Sequence, residues 1–170
     1  LEHPNAGAAK VVTAAASPRD YFELRFQAEA GRAYRLWMRG RAAQNSYTND
    51  SVFAQFSSSV DQAGAAIYRI GTTSALPLIV EACNGCGLSG WGWEDTGYGG
   101  MGPLIRFATT GVQTLRIQGR EDGISIDQIA LSPVEYLDTS PGLTKNDATI
   151  LPERTGLSGE VPPPPPPPPP

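Results

Sequence analysis

The alternation in residues 21–28 constrains this chain more than any other feature. Phe22, Leu24, Phe26 and Ala28 fall on one side of an extended backbone, and Tyr21, Glu23, Arg25 and Gln27 on the other. Successive side chains of a pleated strand point to opposite faces, so a period of two marks a half-buried strand. After a turn at Ala30, Gly31 and Arg32 the pattern resumes, with Tyr34, Leu36 and Met38 on one face and Arg35, Trp37, Arg39 and Arg41 on the other. The spacing predicts an antiparallel hairpin whose second strand presents the Arg and Trp face to solvent. Further strands are predicted at residues 51–56, 66–70, 76–82, 104–108, 112–118 and 124–131, each bounded by turn-forming residues. No stretch sustains a helical period for three turns. In the last strand Ile124 and Ile126 share one parity while Ile129 and Leu131 share the other, which a bulge near Asp127 reconciles. Many short strands with frequent turn signals predict an all-β fold, a jelly-roll β-sandwich.

The sandwich is expected over residues 1–137. Residues 138–161 lose periodicity and carry scattered Pro, Gly and charge, a linker composition. Residues 162–170 are all proline. Proline fixes φ at every position, so this run is expected to form a C-terminal polyproline II extension that finds its contacts outside itself. The chain starts at Leu1 without Met and without the basic and apolar regions of a signal peptide, so it reads as a processed product or a fragment.

Composition removes several function classes. With 13 basic against 17 acidic residues, the formal charge is -4, and a nucleic-acid polyanion meets net repulsion. No apolar run approaches the ~20 residues of a spanning helix, so no membrane insertion is expected. The single histidine, His3, sits beside a chain end, a poor place for the rigid imidazole of a Ser-His-Asp or Cys-His system. The acid pairs Glu94/Asp95 and Glu121/Asp122 invite a glycosidase reading, but adjacent residues of a strand point apart and neither pair is poised across a scissile bond. The chain is expected not to be an enzyme.

The two cysteines, Cys83 and Cys86, form a C-x-x-C that cannot complete a four-ligand zinc site alone. The Gly-rich residues that follow disfavour the helix a thioredoxin-like dithiol requires. A loop-stapling disulfide is the leading reading, with free thiols and redox chemistry as alternatives, and it favours an extracellular or cell-surface location. Next along the chain, residues 91–100 concentrate aromatic rings and carboxylates. Trp91, Trp93 and Tyr98 offer flat platforms for sugar C–H faces, and Glu94, Asp95 and Asn84 offer polar contacts, so these six are the candidate glycan-binding residues. The bland alternative is that one Trp plugs the end of the sandwich beneath the Gly-rich loop. Asn45, Tyr47, Asn49 and Asp50 form a second polar cluster, more typical of turn formers.

Residues 21–31 with 34–40, and residues 111–117 with 123–131, resemble the paired early strands and the closing hairpin of carbohydrate-binding modules of families 6 and 35. Residues 68–74 and 83–93 are similar to modules of large secreted bacterial proteins. The resemblance implies a galactose-binding-like sandwich without catalytic activity, stabilised by Ca2+. In those families the acids of an N-terminal Glu-x-Glu strand and the Asp of a final Asp-x-Ile strand hold the cation. Only Asp127 carries over here as a metal residue. The counterpart of the first strand is expected to lie outside this sequence, either because the sequence is truncated ahead of Leu1 or because another chain fills its place; a vacancy would leave an unpaired sheet edge of the kind that donor strands fill. Self-assembly through the chain ends into a filament is therefore the expected function, with Arg35, Trp37, Arg39, Pro162, Pro166 and Pro170 as contact residues; the alternative for the Arg-bearing face is pairing with neighbouring-strand carboxylates such as Glu23 within the same chain. A calcium-stabilised glycan-binding module that targets a larger protein to polysaccharide is the alternative.

Overall fold

A computed structural model describes residues 1–153. The proline run, with Pro162, Pro166 and Pro170, lies outside the described residues. Strands β1 (Tyr21–Ala28), β2 (Arg35–Ala42), β3 (Ser51–Phe56), β4 (Ser59–Val60), β5 (Leu76–Ile79), β6 (Gly92–Glu94), β7 (Arg106–Phe107), β8 (Gly111–Gly119) and β9 (Ile124–Ser132) form the fold. A four-stranded sheet, β1-β8-β3-β5, faces a three-stranded sheet, β6-β2-β9, and the short β4-β7 pair forms a third sheet. All ladders are antiparallel, and the predicted β-sandwich is present.

The strands follow from the alternation, but their partners do not. The expected hairpin of β1 with β2 is absent, because β1 pairs with β8 and β2 pairs with β6 and β9. The expected closing hairpin of β8 with β9 is likewise absent. β8 lies between β1 and β3, and residues 120–123 carry the chain from one layer to the other. Both connections join strands in different layers, and periodicity alone cannot tell such a corner from a hairpin turn. Gly123 makes the second corner, with φ 76° and the Asn49 side chain where a Cβ would sit. The bulge is where the parity switch puts it: Gly40 faces Ile126 and Arg39 faces Gln128, so Asp127 is the extra residue. Residues 66–70 form only isolated bridges to Val60 and Phe56 and no strand.

Between the layers, the inward residues of β2 (Leu36 and Met38), β3 (Val52, Ala54 and Phe56), β5 (Leu76 and Leu78) and β8 (Leu115 and Ile117) are buried together. Phe107 anchors one end and meets Phe26, Tyr34 and Phe56 edge to face at centroid distances of 5.4, 5.6 and 5.7 Å, the arrangement that aromatic quadrupoles favour.

The outer face of β2 departs most from the sequence expectation. Arg35, Trp37 and Arg39 are each only 4% exposed. Residues 133–151, partly read as linker, fold back over β2, β6 and β9 as a strap. Trp37 Nε1 donates to Tyr136 O at 2.7 Å, Arg35 Nε to Leu137 O at 2.8 Å, and Arg39 NH2 to Asp147 O at 2.6 Å. These three residues are therefore interior contacts of this chain, not an open face for a partner. The strap needs a close approach, and Gly92 permits it, since a Cβ there would lie 1.9 Å from Thr144 O.

Candidate functional site

Residues 81–102 join β5 to β6 and extend beyond β6. The Cys83–Cys86 disulfide is formed, with Cα atoms 5.1 Å apart, and it closes the tight turn in which Cys86 N donates to Cys83 O at 3.0 Å. Lys145 Nζ reaches back from the strap to Cys86 O at 2.6 Å. Within this frame the six candidate glycan residues are separated, not gathered.

Trp93 is fully buried on the strap side of β6. Its backbone N–H donates to Leu143 O at 2.9 Å and its Nε1 to Thr149 O at 3.2 Å. It lies under the strap on the outer side of β6, not at the end of the sandwich beneath the Gly-rich loop, and its side chain is enclosed there. Asp95 is buried too: it takes Arg35 NH1 at 2.8 Å and the N–H groups of Gly97 and Gly102 at 2.7 and 2.9 Å. Trp91 is half-buried, with the guanidinium carbons of Arg39 and Arg41 at 5.1 and 5.0 Å from its ring centre. Both contacts are cation-π geometry. Tyr98 and Asn84 are exposed on the same loop.

Glu94 lies beside Met38 of β2, opposite in parity to Trp93. Its Oε1 is buried without a hydrogen-bond partner among the described residues, and burial, reinforced by the neighbouring Asp95 charge, pushes its pKa up to about 8. A protonated carboxyl at neutral pH avoids the desolvation of a buried charge. Glu94 and Asp95 thus diverge, as adjacent strand residues must, and bracket no common cleft.

Beside the start of this loop, where Glu81 N donates to Asp50 Oδ2 at 3.2 Å, Asp50 and Glu121 form an acid pair. Asp50 N donates to Glu121 Oε2 at 3.2 Å, while Lys10 and the Ser51 hydroxyl also engage Glu121. Burial, with the proton held against Glu121, pushes the Asp50 pKa up to about 7. Burial opposes the charge of Glu121, yet Lys10, Ser51 and Asp50 hold its pKa below the usual carboxylate value. The pair clasps the N-terminal segment, and Asp122 adds to the clasp by accepting from Ala6 N and Ala8 N at 2.7 and 2.9 Å.

Asp127, the carried-over metal residue, accepts a hydrogen bond from Arg39 NH1. The donor set there does not fit calcium. A guanidinium already supplies the positive charge, and among the described residues no group of three acidic, His or Cys side chains gathers anywhere. Asp147, missed in the sequence because its segment resembles a linker, is the other carboxylate of this network. Burial opposes its charge, but N–H groups of Leu143 and Thr149 and the Arg39 guanidinium outweigh it and hold its pKa down. The Asp-x-Thr spacing of Asp147 and Thr149 was the available signal, since such side chains cap their own turn.

A further concavity lies between the edges of the two sheets. A cleft of about 910 Å³ runs along β9 and faces β1, lined by Leu24, Phe26, Leu115, Ile129 and Leu131, with Leu151 at its rim. β1 and β9 are both edge strands of their sheets.

No family model, curated protein or solved structure matches the chain. The likeness to carbohydrate-binding modules therefore rests on the quoted residues alone. Among the described residues no helix is long and apolar enough to cross a membrane.

Proposed function

We propose that this chain is a non-catalytic, extracellular β-sandwich subunit that assembles with copies of itself into a surface or secreted filament. The observation that carries the reading is the cleft between β1 and β9, where two sheet-edge strands, β9 paired on its outer side only with residues 1–3 among the described residues, flank apolar side chains. Unpaired edges are templates for another chain, and a sandwich that leaves both layers open on one side is built to be completed. The disulfide supports an oxidising compartment. The proline tail supplies the second contact that a filament needs beyond any closed pair.

Sedimentation velocity and electron microscopy of the full chain, beside a chain ending at Glu153, test the reading. Concentration-dependent association of the full chain is expected, with filaments only when the tail is present. A full chain that stays monomeric at several hundred micromolar would remove the self-assembly reading.

A glycan-binding module of the family 6 and 35 type is the second reading. It is supported by the half-buried Trp91, with Tyr98 and Asn84 exposed on the same stapled loop. Its test is affinity electrophoresis in polysaccharide gels, where Trp91→Ala should lose retention that the parent shows. Equal mobility of parent and variant in every gel would exclude this loop as a sugar site.

A further inference from the structure

The turn closed by the disulfide has an unused main-chain donor at its centre. Cys86 N donates to Cys83 O at 3.0 Å, and of the two central residues only Gly85 has a positive φ, 76°, which makes residues 83–86 a type II turn. Glycine adopts that conformation without steric cost. Asn84 and Gly85 are both exposed. Among the described residues neither the Asn84 side-chain amide nor the Gly85 N–H makes a hydrogen bond.

The other asparagines of the chain are Asn5, Asn45, Asn49 and Asn146, and each is followed by an N–H that is already engaged. Ala6 N donates to Asp122 Oδ2 at 2.7 Å, Ser46 N to Ala43 O at 3.1 Å, Asp50 N to Glu121 Oε2 at 3.2 Å, and Asp147 N to Trp91 O at 2.8 Å. Three of these side chains are held as well. Asn45 Oδ1 accepts from Gly90 N at 3.3 Å, Asn49 Nδ2 donates to Ala43 O at 3.3 Å, and Asn146 Oδ1 accepts from Ser89 Oγ at 2.8 Å. Freeing any of these nitrogens leaves an acceptor unpaired, whereas Gly85 N has no bond to give up.

We propose that Asn84 is a site of spontaneous covalent modification, deamidated through a cyclic imide that Gly85 closes. Gly85 N loses its proton to hydroxide and attacks Asn84 Cγ, forming a C–N bond. The Cγ–Nδ2 bond breaks, and the amide nitrogen takes a proton from water and leaves as ammonia. Water then opens the five-membered imide at either carbonyl, leaving aspartate or isoaspartate at position 84. No electrons are exchanged, and water is the only co-reactant. Nucleophile and electrophile belong to adjacent residues, so closure is intramolecular, and glycine has no Cβ to obstruct its nitrogen.

Each event replaces a neutral amide by a carboxylate and takes the formal charge from -4 to -5. The isoaspartate product also adds one main-chain carbon inside the loop that the disulfide closes. Cys86 O, two residues on, accepts Lys145 Nζ at 2.6 Å, so the change falls beside the loop's hold on the strap. The proposal stands whichever functional reading holds.

The test is incubation of the full chain, disulfide intact, in mildly alkaline buffer at body temperature, with peptide mapping by mass spectrometry over time. The peptide carrying Asn84 should gain about 1 Da at least about tenfold faster than those carrying Asn5, Asn45, Asn49 and Asn146, and heavy-oxygen water should add about 2 Da more. Isoaspartate should appear beside aspartate, because water opens both carbonyls. Asn84→Gln, whose closure needs a six-membered ring, should show no conversion at that position over the same period. Conversion of Asn84 no faster than that of the other four asparagines overturns the proposal. Aspartate formed without isoaspartate overturns the imide as its route.

Discussion

Replacing Trp93 by Ala separates the two roles this residue can have. As a sugar platform, Trp93 would contribute to retention on polysaccharide and little to stability. As found, it is fully buried, donates to Thr149 O, and stands where a Cβ at Gly142 would lie 2.6 Å from its ring. Burying about 200 Å² of indole at about 25 cal/mol/Å² corresponds to about 5 kcal/mol. Removal of buried aromatic side chains costs about 3–5 kcal/mol, depending on how far the site collapses. The strap is held independently through Arg35, Trp37 and Arg39, so collapse is partial and a loss of about 4 kcal/mol is expected. For a chain of this size that lowers Tm by about 8–16 °C. Urea unfolding followed by far-UV circular dichroism gives the free energy directly. A loss below about 1 kcal/mol would refute the enclosure, because no buried Trp under a seated segment is that dispensable.

Two further outcomes follow from the carboxylates. The folded chain keeps the Glu94 proton up to about pH 8, whereas the unfolded chain releases it near pH 4.5, so stability should fall as pH rises across that interval. After allowance for solvent reaching the group, the fall is roughly 2 kcal/mol; Glu94→Gln should abolish this part of the pH slope, and an unchanged slope would show that Glu94 titrates normally. At Asp127, calcium and chelator should leave Tm unchanged, whereas Asp127→Asn should lose about 1–2 kcal/mol through the Arg39 contact. A rise in Tm with calcium that disappears in Asp127→Asn would restore a cation site there.

What the sequence could convey was local. The alternation identified β1, β2, β3 and the final strand, and the parity switch located the bulge at Asp127, because pleat and burial act residue by residue. Partner choice was illegible, since β1 and β2 sit in different layers although their connection resembles a hairpin turn. The outer face of β2 misled for the same reason. Arg35, Trp37 and Arg39 carry the polarity of a solvated face, yet Asp95, Asp127 and Asp147 satisfy the guanidinium groups from positions far along the chain. Aromatic content marked residues 91–98 as important without distinguishing a buried plug from a sugar platform. The cysteine spacing, by contrast, is a contact between near neighbours, and it was legible.

The clasp at Leu1 and the strap at Asp147 tie the two ends of the described chain to strands more than a hundred residues away: Leu1 meets Ile126 across 125 positions, and Arg39 meets Asp147 across 108. Loop closure over such spans must precede the contacts that reward it, which places folding towards the slow end, about milliseconds to seconds, where long-range β pairings dominate. A nascent chain emerging from a ribosome or a secretion channel cannot cover the Arg35, Trp37 and Arg39 face until residue 147 has followed. Until then that surface and the unfinished sheet edges are exposed together, so the interval before residue 147 arrives is the one in which the chain is most open to premature association.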